Sequence, residues 1–290
     1  MSAERDHRLV WVSGAGGLIG REIVLAADAA VSAGWEVCGL TRQDLDLDDP
    51  TAVARRLAER KPDLIIHCAA LSRTGACEAD PNLAHRLNVE TSARLIDEAP
   101  TARFVFFSSD LVFDGRRGNY TETDRPNPVN VYGRTKFAVE SLLARHPNAL
   151  VIRTSLNFGH SLVGDRSFNE EMVRAWRQNR PVKAFIDEYR CPIPASVTAS
   201  VTWDLALSPF TGIVHVAGAE RISRWEIADA LRTHYPSLNP KVEPVTLKGF
   251  VGPPRSPDVS LNCEQLKRWL GCQLPNFRDW LQEHEPVHHD

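Results

Sequence analysis

Short apolar runs alternate with longer amphipathic segments through the first half of the chain. Each run has four to six residues, and the segments between them are long enough to form helices. The runs occupy residues 9–13, 35–40, 64–68, 104–108 and 149–152. This alternation predicts βαβ units and therefore an α/β fold with a doubly wound parallel sheet.

Local signals place several of the intervening helices. Asp49 can cap a helix whose first residue is Pro50, a position where the missing N–H costs no hydrogen bond. That helix is predicted to continue through residues 51–60. Another helix is predicted from about residue 80 to 99, and a third begins after a proline-rich entry and contains Tyr132.

The second half of the chain follows a looser pattern. Beyond about residue 155, prolines interrupt a series of short segments. We therefore expect residues 1–158 to form the principal domain and residues 159–290 to form mainly a smaller, loop-rich lobe. One strand-like run near residues 212–217 could return to the main sheet, so that the two parts interleave in sequence.

The composition excludes several classes of protein. Of the 290 residues, 43% are hydrophobic and 24% are charged, and the formal net charge is -3 at pH 7. Lysines and arginines are scattered, which argues against a nucleic-acid partner. No apolar run approaches the roughly 18 residues that span a bilayer, so we expect a cytoplasmic protein without a membrane partner.

Neither cysteines nor histidines indicate a metal site. The 6 cysteines include no Cys-x-x-Cys pair, and neither they nor the 10 histidines have the spacing of zinc ligands. We expect reduced thiols and no bound metal.

A glycine-rich turn follows the first predicted strand and opens the first helix. Gly14, Gly17 and Gly20 form G-x-x-G-x-x-G, with Leu18 and Ile19 between the last two glycines. The more common G-x-G-x-x-G would need glycine at position 19, so only the wider spacing holds. A helix N-terminus after such a turn presents N–H groups to a dinucleotide pyrophosphate. The sequence therefore predicts a Rossmann-type nucleotide site.

The end of the second strand should decide which dinucleotide binds. An acidic residue there would bind the ribose 2′-hydroxyl of NAD(H), whereas a guanidinium suits the 2′-phosphate of NADP(H). The strand is followed by Thr41 and Arg42. Arg42 favours NADP(H), but Asp44 and Asp46 follow closely and Arg42 could simply be solvated, so NAD(H) stays an alternative.

A tyrosine, a lysine and a serine suggest carbonyl chemistry. Tyr132 and Lys136 are four residues apart in a predicted helix and share one face, although ordinary amphipathic helices show the same spacing. We expect the ammonium of Lys136 to lower the phenol pKa toward neutrality. Ser109 ends the fourth strand, at the edge where parallel sheets bind ligands. Together with the nucleotide site, these groups predict hydride transfer to a ketone.

Further motifs resemble those of one enzyme family. They are Gly14-x-x-Gly17-x-x-Gly20, Asp44-Leu-Asp46-Leu47, His67-Cys-Ala-Ala70, Asn88-Val-Glu, Ser108-Ser109-Asp110-Leu-Val-Phe-Asp-Gly115, Tyr120-x-Glu122, Pro128-x-x-x-Tyr132-Gly-x-x-Lys136, Arg153-Thr-Ser155 and Asp258-Val-Ser-Leu261. With this combination, most of the chain resembles the extended short-chain dehydrogenase/reductases, and within them the dTDP-4-dehydrorhamnose reductase group. The resemblance implies an NADP-dependent reductase that acts on a keto group of a nucleotide-linked sugar.

The resemblance also implies roles for individual residues. Tyr132 would be the general acid, Lys136 would hold the nicotinamide ribose, and Ser109 would stand at the family's serine or threonine position. The residues implied to contact the cofactor are Gly14, Gly17, Leu18, Ile19, Gly20, Arg42, Asp46, Leu47, Ala69, Ala70, Asn88, Ser108, Tyr132, Lys136 and Arg153. Those implied to contact the substrate are Leu71, Asp110, Leu111, Ser155, Leu156 and Arg190.

Residues near the predicted substrate-binding site do not identify the substrate. Leu111 and Leu156 stand where rhamnose-type enzymes carry aromatic residues, and leucine offers neither a stacking face nor a polar handle. A different keto sugar or a smaller carbonyl compound is therefore an alternative substrate. Arg190 could bind a phosphate or carboxylate, or it could form a surface salt bridge with Asp187 or Glu188.

Two other functions fit the same motifs. Epimerases and dehydratases use the same tyrosine in a redox-neutral cycle. The resemblance also extends to a regulatory subunit of methionine adenosyltransferase, which binds NADP and serves as a partner protein. Finally, the resemblance implies a homodimer formed through the helix at residues 80–99 and the helix that contains Tyr132.

Overall fold

The computed structural model of the protein describes residues 7–31, 34–161, 163–271 and 273–284. Its strands are β1 (Arg8–Ser13), β2 (Trp35–Leu40), β3 (Leu64–His67), β4 (Arg103–Ser109), β5 (Ala149–Thr154), β6 (Asn157–Phe158), β7 (Val182–Phe185), β8 (Tyr189–Arg190), β9 (Ile193–Pro194), β10 (Gly212–Val216), β11 (Ile222–Ser223) and β12 (Val242–Val245). Six of them form a parallel sheet in the order β2-β1-β3-β4-β5-β10. The predicted fold class is therefore confirmed.

Some of the helices in the described residues cover the two faces of this sheet, and others belong to the smaller lobe. The helices are α1 (Leu18–Leu25), α2 (Ala27–Ala30), α3 (Pro50–Glu59), α4 (Thr74–Ala79), α5 (Pro81–His85), α6 (Thr91–Glu98), α7 (Val131–Leu143), α8 (Phe168–Arg177), α9 (Ala195–Leu207), α10 (Arg224–His234), α11 (Glu264–Leu270) and α12 (Phe277–Glu283). No helix in the described part of the chain is long and apolar enough to cross a bilayer.

Alternating side chains of the strands supply two separate cores. Val10 and Val12 of β1 pack on one face, in a core that also contains Trp203 of α9. Leu9 and Trp11 pack on the other face, in a core shared with α3, α6 and α7. Because successive strand residues point to opposite faces, a strand buried on both sides reads as a continuous apolar run. This is why the strands could be located from the sequence.

The observed helix boundaries agree with the sequence-based prediction for one helix and differ from it for another. Asp49 caps α3 as predicted, by accepting hydrogen bonds from Thr51 N at 2.9 Å and Ala52 N at 3.1 Å. The predicted helix at residues 80–99 is instead divided into α5 and α6 by a π-helical turn at Arg86–Glu90. This turn brings a polar side chain inward, as described below.

The smaller lobe has its own core, and the main sheet is completed from within the second half of the chain. Phe158 lies at the centre of this third core, with its ring centroid 4.9 Å from those of Phe277 and Trp280. The strand-like run near residues 212–217 forms β10, which pairs with β5 at the edge of the main sheet. The chain therefore leaves the sheet after β5, builds part of the lobe and then returns.

Candidate active site

The glycine turn lies at the carboxyl edge of the sheet, between β1 and α1. A Cβ on Gly14, whose φ is +73°, would lie 2.7 Å from Ala69 N, and a Cβ on Gly20 would lie 2.3 Å from Gly14 O. Glycine is required at both positions, because Gly14 lies tightly against the segment after β3 and Gly20 lies tightly against the turn itself. Gly17 precedes α1 without a side-chain cap. The first turn of α1 therefore suits an anion, as predicted for a dinucleotide pyrophosphate.

Other predicted cofactor residues lie along the same edge. Leu18 is buried and Ile19 packs against the core, so any contact they make with a ligand would come from their main chains. Ala69 and Ala70 lie just after β3, separated from it by Cys68, and are partly buried. The strand order reverses between β1 and β3, which is the place where open α/β sheets form a ligand crevice.

The end of β2 carries an exposed ion pair. Nε and Nη2 of Arg42 lie 3.3 Å from Oδ2 of Asp46, and the Arg42 side chain is 73% exposed. Asp44 instead accepts hydrogen bonds from the backbone and hydroxyl of Thr41, while Leu47 packs against the core. Exposed ion pairs contribute little to stability, so Arg42 could exchange Asp46 for a phosphate at small cost.

Tyr132 and Lys136 lie on α7, whose first turn packs against the end of β4. A Cβ on Gly133 would lie 2.1 Å from Leu111 O. Only glycine therefore allows α7 to approach this closely. The contact brings Tyr132 beside Ser109, the last residue of β4.

The surroundings of Tyr132 shift its pKa in the direction opposite to the prediction. Burial raises the pKa of Tyr132 above its ordinary range, the charge of Asp110 raises it further, and a hydrogen bond with Ser109 opposes both. Nζ of Lys136 lies 5.7 Å from the Tyr132 ring centroid and 4.7 Å from that of Phe106. The shared face is as predicted, but the predicted lowering of the phenol pKa is wrong, because loss of hydration penalises the phenolate more strongly.

Lys136 is itself almost completely removed from water. Its relative exposure is 3%. Burial lowers the pKa of its ammonium to about 8, although the nearby Cys68, Cys77 and Glu140 oppose this shift. The amine therefore titrates in a range where an exposed lysine would remain fully protonated.

We expect the free energy of unfolding of the wild type to rise, relative to that of a Lys136→Met variant, between pH 8 and about pH 9.5. In this window the folded pKa of about 8 lies below the unfolded value of 10.5, so the unfolded chain binds more protons. The difference should grow by about 1.4 kcal/mol per pH unit, or about 2 kcal/mol in all. Urea unfolding of both proteins at the two pH values tests this. Parallel changes would mean that Lys136 titrates as an exposed lysine does.

Asp110 orients the hydroxyl of Ser109. Oδ1 of Asp110 accepts a hydrogen bond from Ser109 Oγ at 3.0 Å, and Oδ2 accepts one from Ser155 Oγ at 2.8 Å. Ser109 Oγ also accepts a 3.1 Å hydrogen bond from Leu111 N. Burial raises the pKa of Asp110, and the charge of Arg190 opposes this shift. Three of the predicted site residues, Ser109, Asp110 and Ser155, are thus brought together.

Arg190 is directed into the protein. It is buried, with Nη2 3.0 Å from Glu188 Oε1 and Nε 3.8 Å from Asp110 Oδ2. Nη1 donates to the carbonyl oxygens of Tyr189 at 2.8 Å and Ser256 at 3.2 Å. The guanidinium is therefore occupied by protein groups. Of the two predicted alternatives, the salt bridge with Glu188 is formed, but it is buried and not on the surface.

Glu188 attracts two further arginines. Nη2 of Arg255 donates to Oε1 at 3.1 Å, and its Nε donates to Oε2. Although burial works to raise it, the pKa of Glu188 is lowered by the charges of Arg190, Arg255 and Arg224. Nη1 of Arg224 is buried and has no hydrogen-bond partner among the described residues. Three guanidinium groups therefore gather around Glu188, with Asp110 as a second carboxylate beside Arg190.

Ser108 and Arg153 both bind a residue that the sequence analysis did not identify. Nε and Nη2 of Arg153 lie 3.0 Å and 2.7 Å from the two carboxylate oxygens of Glu140. Ser108 Oγ donates to the same carboxylate. These side chains are buried and mutually satisfied, so any cofactor contact of Ser108 or Arg153 would have to come from other atoms. Glu140 lies four residues after Lys136, as Lys136 lies four residues after Tyr132. This spacing in the sequence could have indicated that Glu140 shares their face of the helix.

Asn88 lies in the π-helical turn with its amide directed inward. Its Oδ1 accepts a 2.7 Å hydrogen bond from Leu71 N, and its Nδ2 donates to Thr135 Oγ1 at 3.0 Å. Leu71 and Tyr132 both pack against one small apolar cluster formed by residues of α4, α5 and α7. The structure therefore gives Asn88 a role in holding the segment after β3 against α7.

The two leucines at the expected aromatic positions are packed into cores. Leu111 contacts the main core and Leu156 contacts the core of the smaller lobe, and both are partly buried. Elsewhere, Phe185 and Phe250 form an aromatic pair at a centroid distance of 5.2 Å, and Arg255 lies over both rings. Neither Phe250 nor Arg255 was predicted as a site residue.

Comparisons with known proteins agree with this fold. The chain is 31% identical to a dTDP-4-dehydrorhamnose reductase of Burkholderia thailandensis, over 93% of this chain and 95% of that protein. It is 30% identical to the beta subunit of methionine adenosyltransferase 2 of Mus musculus, over 95% and 86%. The crystal structure of a Bacillus anthracis dTDP-4-dehydrorhamnose reductase in complex with NADP superposes with a TM-score of 0.86 at 23% identity, covering 96% of this chain and 98% of that one. Residues 8–285 match the family described as RmlD substrate binding domain. The chain therefore belongs to the RmlD substrate binding domain family.

Proposed function

We propose that the protein is an NADP(H)-preferring reductase that reduces a keto group of a nucleotide-linked sugar. The observation that carries the proposal is the arrangement at the carboxyl edge of the sheet. A tight, uncapped glycine turn lies at one end, and Tyr132, Ser109 and Lys136 lie together at the end of β4. The first arrangement suits a dinucleotide, and the second suits proton transfer to a carbonyl oxygen.

The residues present fit a nicotinamide dinucleotide, which would supply the hydride when bound. The first turn of α1 would bind its pyrophosphate, and Arg42 would bind a ribose 2′-phosphate. Lys136, on the same face as Tyr132, would bind the nicotinamide ribose. These roles follow from the uncapped helix end, the exposed guanidinium and the shared helical face.

The protonation state of Tyr132 is compatible with reduction. A phenol with its ordinary pKa is already protonated at neutral pH, and burial, which raises the pKa of Tyr132, keeps it protonated. A protonated phenol can give its proton to a carbonyl oxygen as the hydride reaches the carbon, which is what a reductase requires of its general acid. Ser109 would bind the same oxygen, once its hydroxyl turns from Asp110 toward the substrate.

The charge at the lobe supports a phosphorylated substrate. Arg190, Arg224 and Arg255 gather around Glu188. Asp110 is a second carboxylate beside Arg190, and Nη1 of Arg224 is buried without a hydrogen-bond partner in the described part of the chain. A diphosphate could receive a charge-assisted hydrogen bond from this Nη1 group of Arg224. The reductase relative from Burkholderia thailandensis points to the same substrate class.

The cytoplasmic location and the homodimer stay predictions.

A panel of keto sugars, each tested with and without a nucleoside diphosphate, examines the proposal directly. Oxidation of NADPH would be followed by absorbance. We expect turnover with at least one nucleotide-linked ketone and weaker activity with the matching free sugar. Turnover without net oxidation of cofactor would instead indicate a redox-neutral epimerase or dehydratase.

A second candidate function is that of a cofactor-binding partner subunit. It is favoured by the 30% identity with the beta subunit of methionine adenosyltransferase 2 over 95% of the chain. Its signature would be tight NADPH binding, measured by fluorescence titration, with no oxidation of NADPH by any ketone in the panel. Copurification of a catalytic partner would support the same conclusion.

Replacing Arg42 with alanine should change the choice of dinucleotide. The ratio of kcat/KM for NADPH to that for NADH should fall about tenfold, because a charge-assisted hydrogen bond to the 2′-phosphate would be lost. Arg56→Ala is the matched control, since Arg56 forms a similar exposed ion pair with Glu59 on α3. An unchanged ratio in Arg42→Ala would assign Arg42 to the solvated surface.

A further inference from the structure

A buried histidine lies beneath the candidate active site and contacts no residue that the proposed mechanism uses directly. The His67 side chain has 0% relative exposure, and its ring stacks on Phe106 at a centroid distance of 6.1 Å. Nδ1 lies 2.7 Å from Ser13 Oγ, and Nε2 lies 3.0 Å from Ser92 Oγ. Both ring nitrogens therefore have partners, one on β1 and one on α6.

The neighbouring hydrogen bonds fix the proton positions in this group. Ser92 Oγ donates to Asn88 O at 2.6 Å, so it can only accept from His67 Nε2–H. In a neutral ring Nδ1 is then the acceptor, and it receives the hydroxyl proton of Ser13. Ser13 Oγ in turn accepts a hydrogen bond from Ala69 N at 3.5 Å. Burial and the nearby charge of Lys136 keep the ring neutral by lowering the pKa of His67 to about 3.

The chain of hydrogen bonds extends from the glycine turn to the helix of the proposed acid. On one side, Ser13 is the residue directly before Gly14. On the other side, Asn88 Nδ2 donates to Thr135 Oγ1, which donates to Tyr132 O at 2.7 Å. Buried and fully satisfied networks of this kind hold their members in one arrangement.

We propose that His67 is a positioning residue that couples the glycine turn to α7, through Ser13 on the Nδ1 side and through Ser92 and Asn88 on the Nε2 side. Its effect on turnover rests on the proposed reductase function, whereas its effect on dinucleotide binding does not. The two sides of the ring serve different parts of the site and can be separated by substitution.

Two substitutions each preserve one side. In His67→Asn the amide oxygen can occupy the place of Nδ1 and accept from Ser13, but the side chain is too short to reach Ser92. In His67→Gln the amide nitrogen can occupy the place of Nε2 and donate to Ser92, while the contact with Ser13 is lost. We expect His67→Asn to lower kcat about tenfold with the Kd for NADPH within about threefold of wild type. We expect His67→Gln to raise that Kd about tenfold with kcat within about threefold, since each leaves one buried polar group unsatisfied.

Ser92→Ala and Ser13→Ala are milder versions of the same two changes, and they should reproduce the two patterns if the histidine variants fold poorly. If all variants lower the melting temperature but leave Kd and kcat unchanged, or shift both together, His67 has only a packing role and the proposal is overturned. If the wild type reduces no ketone, the proposed function fails, and the Kd measurements still decide this inference.

Nitrogen NMR of the His67 ring gives an independent test. We expect a proton on Nε2 and no titration of the ring between about pH 5 and pH 8. A proton on Nδ1, or a titration in that range, would contradict the proposal.

Discussion

Replacing Tyr132 with phenylalanine should lower kcat by about 10³-fold, within the range expected for loss of a general acid. The substitution removes only the hydroxyl and keeps the ring, which packs against the small apolar cluster that contains Cys77 and Val131. Because the proton is needed in the transition state and not for dinucleotide binding, the Kd for NADPH should stay within about twofold of wild type. Steady-state kinetics with the best ketone substrate and fluorescence titration of NADPH give the two values.

Tyr120→Phe provides the matched control. Its hydroxyl donates a 2.7 Å hydrogen bond to Asp114, and it is buried in the main core. Removing it should lower the melting temperature but leave kcat within about twofold of wild type. If Tyr132→Phe retained more than about a tenth of wild-type kcat, another group would have to be the proton donor. Ser109, through Asp110, would then be the next candidate.

The second large effect is expected on stability. Glu140→Leu should lower the free energy of unfolding by about 3–5 kcal/mol, because it leaves the buried guanidinium of Arg153 without a counter-ion. The side chains of this pair are only 2% and 3% exposed. Ser108 would also lose its acceptor. Urea unfolding at neutral pH measures the change through the transition midpoint.

Two further variants test whether the loss of stability in Glu140→Leu comes from the buried charge of Arg153. Glu59→Leu breaks the exposed ion pair with Arg56 on α3 and should cost less than about 1 kcal/mol. A double variant, Glu140→Leu with Arg153→Met, should recover part of the stability lost in the single variant, since no uncompensated charge stays buried. A cost below about 1 kcal/mol for Glu140→Leu alone would mean that water or another group compensates Arg153.

Local chemistry explains what could be predicted from the sequence. The strands of the main sheet are short apolar runs because both faces are covered, and the cap at Asp49 is set by its immediate neighbours. The glycine turn is also a local signal, since Gly14 and Gly20 must lack side chains for the turn to close. The i, i+4 relation of Tyr132 and Lys136 depends only on helical geometry.

Contacts between distant segments could not be predicted in the same way. The pKa of Tyr132 depends on burial by neighbours that come from α4, α5 and the end of β4, and its direction was therefore missed. The role of Asn88 depends on a π-helical turn for which the sequence gives no periodic signal. Arg153 was assigned to a ligand because its partner, Glu140, lies 13 residues away on another element.

The lobe was the least predictable part. Arg190 could be read as a ligand-binding residue or as half of a salt bridge, and only the fold shows that Glu188, Asp110 and two carbonyl oxygens already occupy it. Arg255 lies in a proline-rich segment without periodicity, so no pattern marked it. Polar networks of this kind are assembled from loops whose relative positions the sequence alone does not give.

The return of the chain to β10 limits how this protein could be shortened or recombined. A fragment that stopped at residue 158 would retain the nucleotide-binding motifs but leave the outer edge of β5 without its neighbour. Leu150 and Ile152, both completely buried in the intact chain, would lose part of their cover. An uncovered apolar edge of this kind invites pairing with other chains. If the lobe were exchanged between relatives, the six-stranded sheet would therefore stay complete only if the segment that forms β10 came from the same protein as the other five strands.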